Sequence, residues 1–319
     1  MKIFTSYKSL KKYTKNSILL LGNFDGIHRG HQKIIESAKK IQSKENKKVG
    51  VLLFDPHPKI FFKKEKRNFL LTHINSRCEI LKNYGLDYVI VLKFSSSVAK
   101  MTPNHFCKKI LLEGIQMKHV FVGKNFKFGN NRSGDYQYLK DFGKKNNFSV
   151  SPVSIFKLPL SLAKNFNKKI FSSSNVRLAI ESGKIKIANK ILGRPWFING
   201  KVIKGDQRGR LIGFPTANIE IKDYSQPKYG VYAVTVEMIK KNSKYRLYKG
   251  IANFGIRPTF NKKTPLLEVY LFDFNLNIYN SALKVTFIDF IRKEKKFSGI
   301  DSLKMQLNKD ILKAKQVLR

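Results

Sequence analysis

The chain has 319 residues, 42% of them hydrophobic and 12% aromatic, which leaves room for two cores and excludes a disordered polypeptide. Lysine and arginine number 63 against 21 acidic residues, a formal charge of +42. A balance this basic raises nucleic acid as a partner class, but the lysines are spread along the whole chain rather than gathered in one arm. No specific nucleic-acid partner is therefore expected, while a general attraction for nucleotide phosphates is.

No run approaches the ~20 apolar residues of a membrane helix. The basic start, Met1 to Ser17, lacks the apolar stretch and cleavage site of a secretory leader. A cytoplasmic protein with no membrane association is expected. Cys78 and Cys107 stand alone, so neither a zinc site nor a disulfide framework is indicated and both read as small buried hydrophobes.

In chain order, Ser17–Gly22 is an apolar run, and residues 29–44 follow with helical spacing at Ile34, Ile35, Ala38 and Ile41. Val49–Phe54 is a second strand-like run, closed by Pro56 and Pro58. Ile74–Tyr84 reads as helix and Asp87–Leu92 as strand. Thr102 is an N-cap with Pro103 in the first helical position, opening a helix to about Gly114. His119–Val122 is a strand, Tyr136–Lys145 a helix and Phe148–Ser154 a strand. Alternation of this kind predicts a parallel sheet covered by helices. Ser174–Gly183 and Ile185–Leu192 read as short helices. Thereafter Val231–Met238, Tyr245–Asn253, Leu266–Asp273 and Lys284–Ile291 follow one another without intervening helices, which predicts an antiparallel barrel or sandwich. Ser302–Leu318 closes the chain as an amphipathic helix. The boundary falls near residues 183–195.

The first chemical signal is the string from Leu21 to His31, LGNFDGIHRGH. It joins a buried strand to a helix. His28 and His31 project from one edge of the first turn, where free N–H groups and the helix dipole suit a triphosphate. Two imidazoles there are placed to stabilise charge on an α-phosphate and its pyrophosphate leaving group. Gly22, Gly26 and Gly30 allow close backbone approach.

The string GxFDGxHxGH resembles the HxGH nucleotidyltransferases, most closely the bacterial bifunctional riboflavin kinase/FMN adenylyltransferase (FAD synthetase) family. Three further segments match in order. Phe54-Asp55-Pro56-His57-Pro58 is similar to the family's FxPHP element. The segment from Val122 to Gly129, with Arg132 and Gly134, is similar to its GxDFxFGxxRxG loop, with Asn125 where an aspartate is often found. Ser172-Ser173-Ser174-Asn175-Val176-Arg177 is similar to its SSTxIR, with Ser174 in place of threonine. The resemblance implies catalytic roles for His28 and His31. It implies ATP contacts for Gly22, Phe24, Asp25, Gly26, Ser173, Ser174 and Arg177, and flavin contacts for Pro56, His57, Pro58, Asn125 and Arg132.

The second signal begins at Gly200 and runs to Asn218, GKVIKGDQRGRLIGFPTAN. By itself it is a Gly-rich basic turn near Thr and Asn, a composition able to cradle phosphates and a divalent cation. It lacks the GxxxxGK[ST] of a Walker loop. It resembles the riboflavin-kinase signature GxVxxGxxxGRxxGFPTAN at every fixed position. That resemblance implies ATP contacts for Gly205, Gly209, Arg210, Thr216 and Asn218, with Mg²⁺ on Thr216 and Asn218. The segment from Gly250 to Phe260 resembles the family's GxANxGxRPTF. Glu268 falls where the family has its catalytic base. Phe287 to Phe297, with Arg292 and Glu294, resembles its closing motif near the flavin.

The expected architecture is thus α/β followed by all-β. A Rossmann-like HxGH nucleotidyltransferase domain spans 1–184, and a small antiparallel riboflavin-kinase β-barrel with a C-terminal helix spans 185–319. The implied substrates are riboflavin, FMN and ATP, and the product is FAD. Two other readings stand beside this one: an adenylyltransferase for another phosphorylated metabolite with an accessory barrel, and a basic nucleic-acid-binding protein on an enzyme scaffold. The sequence carries no sign of oligomeric state.

Overall fold

Ile18, Leu19, Leu20 and Leu21 are consecutive and all buried, a pattern only a strand covered on both faces can satisfy. The computed structural model describes residues 1–8, 10–62, 68–204, 208–238, 246–256 and 265–319. Contacts divide the chain into two compact units, one of residues 1–66 with 73–172 and one of residues 67–72 with 173–319.

In the first unit, in chain order, the strands are β1 (Lys2–Phe4), β2 (Ile18–Leu21), β3 (Val49–Asp55), β4 (Tyr88–Lys93), β5 (His119–Gly123), β6 (Lys127–Phe128), β7 (Gly134–Asp135) and β8 (Ser149–Val153). Six form one sheet in the order β1-β4-β3-β2-β5-β8, every pair parallel. β6 and β7 make a separate antiparallel pair. The chain winds from β2 through β3 to β4 on one side, then returns to lay β5 and β8 on the other. The order therefore reverses between β2 and β5, which is where open α/β sheets bind ligands at the carboxyl ends of their strands.

The helix Arg29–Glu45 follows β2 and buries Ile34, Ile35 and Ala38, as its spacing predicted. The expected helix from Thr102 to Gly114 forms differently. Thr102 Oγ1 does accept from His105 N at 3.2 Å, but after Pro103–His105 the backbone widens into a π-helix over Phe106–Ile115. Gln116 N closes it on Leu111 O at 2.9 Å. The wider turn puts Phe106, Cys107, Ile110, Leu111 and Ile115 into the core beneath the sheet, and a side chain on Gly114 would come within 2.7 Å of Tyr7 O. Cys78 and Cys107 are both buried thiols.

In the second unit, β9 (Trp196–Ile203), β10 (Ala217–Glu220), β11 (Gly230–Met238), β12 (Leu247–Ile256), β13 (Pro265–Leu271) and β14 (Ala282–Lys293) close into an antiparallel barrel in the order β10-β13-β12-β11-β14-β9. Of barrel and sandwich, the chain forms the barrel. Leu267, Val269 and Leu271 alternate inward along β13 while Leu266, Glu268 and Tyr270 point the other way. The helix Ile300–Val317 covers part of the outer face, where Ala314 and Leu318 pack on Val231, Ala233, Ile251 and Ile291. Helices Ser173–Glu181 and Ile185–Leu192 belong to this unit. So does the stretch 67–72, where the sequence reading placed residues up to 184 with the first half. Phe69 N and Leu70 N donate to Asp223 O at 2.9 and 2.7 Å, and Trp196 Nε1 donates to Leu71 O at 3.0 Å.

Candidate active sites

The loop between β2 and the helix Arg29–Glu45 is bent by three left-handed residues, Phe24 (φ 48°), Gly26 (φ 82°) and Ile27 (φ 45°). A β-branched residue there is disfavoured and needs surrounding structure to hold it. A buried ion pair does so. Arg77 Nη1 donates to Asn23 O at 2.9 Å and Nη2 to Asp25 Oδ1 at 3.4 Å, with both side chains 2% exposed. Asp25 thus supports the loop through Arg77. The motif reading did not single out Arg77; its sequence signal is a cation in a helix otherwise lined by Cys78, Ile80 and Leu81.

The bend stacks three rings. Phe24 lies 4.7 Å from His31, and His31 lies 3.8 Å from His28 at an interplanar angle of 22°. Burial, then the neighbouring His28 and the Arg77 charge, hold His31 well below the ordinary imidazole value, so it is neutral at pH 7. Its Nδ1 has no hydrogen-bond partner among the described residues. His28 is the N-cap of the helix and caps no backbone N–H with its side chain. A Cβ on Gly30 would press to 3.0 Å from the His28 ring, so the missing side chain is what allows the imidazole to lie across the first turn.

These groups line a cleft of about 250 Å³ at the reversal point of the sheet. The loop after β2 contributes Gly22, Phe24 and His28, the first turn of the helix Arg29–Glu45 contributes His31, the loop after β5 contributes Lys124 and Asn125, and β8 leads into Ile155 and Phe156. None of its lining residues is acidic and Lys124 is basic, which suits an anionic ligand. The lining ends at Ser172. Ser173, Ser174 and Arg177 lie in the second unit, where Arg177 Nε donates to Phe69 O at 2.7 Å and its guanidinium sits 3.6 Å over the Phe69 ring. Gly26, Pro56, His57, Pro58 and Arg132 are also outside the lining. His57 is buried as the cap of a short helix, Nδ1 accepting from Lys59 N at 3.1 Å. Arg132 is exposed on a turn with φ 59°.

In the second unit, Asn218 on β10 is the cross-strand partner of Glu268 on β13, and Glu268 is the partner of Asn253 on β12. The same row continues through Val231 to Arg292. Asn218 is 5% exposed and its Oδ1 is buried with no partner among the described residues. Arg210 and Thr216 line a separate cleft of about 280 Å³ at the barrel mouth, closed by Phe274 to Tyr279. A side chain on Gly209 would run into Phe214 O. Arg292 is bound by Asp310 of the C-terminal helix, its Nε and Nη2 donating at 2.8 to 2.9 Å. Glu294 lies against Gly255, and burial raises its carboxyl above the usual value. Gly205 and the Arg257 to Phe260 segment lie outside the described residues.

The chain matches the families described as FAD synthetase over residues 10–160 and riboflavin kinase over residues 192–318. It is 37% identical to the bifunctional riboflavin kinase/FMN adenylyltransferase of Buchnera aphidicola subsp. Schizaphis graminum, over 98% of this chain and 97% of that one. The Bacillus subtilis protein of the same description is 36% identical over 94% and 92%, and that of Escherichia coli K12 33% over 94% and 92%. A solved structure from Streptococcus pneumoniae, described as a macrolide-efflux protein, is 30% identical with a TM-score of 0.83 over 99% of both chains. Among the described residues of this chain no helix is long and apolar enough to cross a membrane. With both signatures on separate units and relatives of this identity along nearly its whole length, the chain belongs to the bifunctional riboflavin kinase/FMN adenylyltransferase family.

Proposed function

We infer that the chain makes FAD in two ATP-dependent steps, phosphorylating riboflavin to FMN in the barrel and adenylylating FMN in the parallel-sheet unit. The observation that carries this reading is that one chain holds both residue sets, His28 with His31 in one unit and Thr216, Asn218 and Glu268 in the other. In the first site an FMN phosphate oxygen attacks the α-phosphorus of ATP, forming a P–O bond while the bond to pyrophosphate breaks. Neutral His31 and its stacked partner His28 donate hydrogen bonds toward the charge that develops. Gly22, Phe24 and Gly26 supply close backbone approach, and Asp25 acts by fixing the loop. Ser173, Ser174 and Arg177 are retained as nucleotide contacts in this reading, and Pro56, His57, Pro58, Asn125 and Arg132 as flavin contacts.

In the barrel, Glu268 accepts the proton of the riboflavin 5′-hydroxyl as that oxygen attacks the γ-phosphorus and ADP leaves. Gly205, Gly209 and Arg210 hold phosphates, and Arg292, fixed by Asp310, lies on the flavin side. The donor set fits a magnesium ion, because Asn218 Oδ1 is a buried oxygen without a partner among the described residues and Thr216 adds a hydroxyl two residues away. Bound there, the ion neutralises phosphate charge. Functionally the division is 1–184 for adenylylation and 185–319 for phosphorylation. The protein works in the cytoplasm on free flavins and ATP. The decisive experiment incubates it with riboflavin, ATP and Mg²⁺ and separates the flavins: FMN should appear first and FAD after it, and riboflavin left unchanged would overturn the reading.

A further inference from the structure

Gly30 has ring stacks on two sides. On one lie His28, His31 and Phe24. On the other, a Cβ at Gly30 would stand 3.4 Å from Cβ of Phe171, and Phe171 is stacked on Phe156 with centroids 4.8 Å apart and planes at 16°. A short antiparallel strap holds this second pair, with Phe171 N donating to Phe156 O at 2.9 Å and Leu158 N to Lys169 O at 3.0 Å. Phe171 is 8% exposed, so it is the buried member. Phe156 is 43% exposed although one face is covered, and Ile155 beside it is 49% exposed. Both phenylalanines line the same cleft as the two histidines. An apolar ring left half in solvent at the rim of a pocket without acidic groups, backed by a second ring, has the form of a stacking surface for a flat heteroaromatic group.

We propose that Phe156, backed by Phe171, is the platform on which the adenine ring of ATP stacks while the α-phosphate lies at His28 and His31. The inference rests on the adenylyltransferase reading of this site. Both substrates of that reaction carry a flat ring. The platform abuts Gly30, within the first turn of the helix that receives the α-phosphate, so ring and phosphate sites are close neighbours. In ATP only a closed ribose separates the base from that phosphate. In FMN a longer open ribityl chain stands between the isoalloxazine and its own phosphate, which carries that ring farther from the reacting centre. Stacking accepts any base, so the platform supplies affinity, and Gly30 is the residue whose missing side chain lets the platform and the imidazoles approach together.

The test uses the full chain with FMN supplied, so that only adenylylation is read. Phe156→Ala should raise the KM for ATP about tenfold, the scale of losing one stacked base, with the KM for FMN and the rate of riboflavin phosphorylation unchanged. Phe156→Trp should keep the wild-type KM for ATP, and its new indole emission, over the Trp196 background of the wild type, should be quenched by ATP. A rise in the KM for FMN instead of ATP would assign the platform to the flavin and overturn the proposal. Unchanged KM values with a lowered melting temperature would make the ring pair packing alone, and would overturn it too. If the wild-type chain makes no FAD, the reading of the site fails. If it makes FAD but ATP leaves the Phe156→Trp emission unchanged, only the platform fails.

Discussion

Asn218 and Glu268 face each other across adjacent antiparallel strands of the barrel, and Asn253 flanks Glu268 from the opposite strand. Glu268 thus stands between two asparagines in a cross-strand row that reaches Arg292, whose guanidinium is bound to Asp310. If Glu268 is the general base, Glu268→Gln keeps the size and hydrogen-bonding reach while removing the proton acceptor. The kcat for FMN formation should fall on the order of 10²–10⁴-fold with KM little changed. Adenylylation of supplied FMN should survive. Single-turnover phosphorylation and a melting curve separate this from a structural role, for which stability would fall and kcat would hold.

The two activities should respond to separate substitutions. His28→Ala or His31→Ala should depress FAD formation by roughly two orders of magnitude, the scale for losing one electrostatic donor, and leave FMN formation intact. Joint loss of both activities in a folded variant would sink the assignment of two sites.

The depressed value of His31 makes stability depend on pH. In the unfolded chain this imidazole titrates near 6.5, and in the fold well below. Between those values the unfolded chain binds more protons, so stability rises with pH across the window and is lost on acidification. Denaturant midpoints measured from pH 8 down to pH 5 should fall, and His31→Asn should flatten the slope. His119, lowered chiefly by its own burial, acts in the same sense and should leave the variant a residual slope. A midpoint that climbs on acidification contradicts this account.

Asp310 is 2% exposed and takes Nε and Nη2 of Arg292 together with Nε2 of Gln306. Asp310→Ala leaves the guanidinium uncompensated and opens the contact between the C-terminal helix and the barrel. Removing one member of such a pair costs about 3 kcal/mol, visible as a lower unfolding midpoint of the barrel unit. Arg292→Met together with Asp310→Leu should recover most of it.

A fragment beginning at Ile185 should phosphorylate riboflavin but be less stable than the barrel within the intact chain. It lacks two parts of this unit, the helix Ser173–Glu181 and the stretch 67–72, and with the latter the carbonyl of Leu71 that accepts from Trp196 Nε1. A buried donor left without its acceptor costs about 1–3 kcal/mol. Trp196 is the sole tryptophan and is fully buried, so its emission maximum and the unfolding midpoint report the loss directly. Equal midpoints for fragment and intact chain would show that neither segment contributes.

Much of the architecture was legible locally. The runs 18–21, 49–54 and 88–92 carry no charged residue, and burial on both faces is the one environment that suits them. The boundaries of Ile185–Leu192 were readable because Gly193 takes φ 73° at its end. β9 escaped notice because Asn199 and Gly200 interrupt its apolar pattern; the glycine is there since Ile219 of β10 occupies the space a side chain would need. The π-helix escaped it because the spacing of Phe106, Ile110 and Leu111 is compatible with an ordinary helix.

Local spacing brings His28 and His31 into one helical turn, three residues apart, and sets Thr216 and Asn218 two apart at the start of a strand. Which groups hold them there depends on contacts between distant parts of the chain. Arg77 meets Asp25 across 52 residues and Asp310 meets Arg292 across 18, while Phe156 reaches Phe171 through a strap closed beside Gly30. Periodicity and capping are set by neighbours within a turn or two of chain. These pairings are set by strand order and helix docking, and those follow from burying the whole core at once.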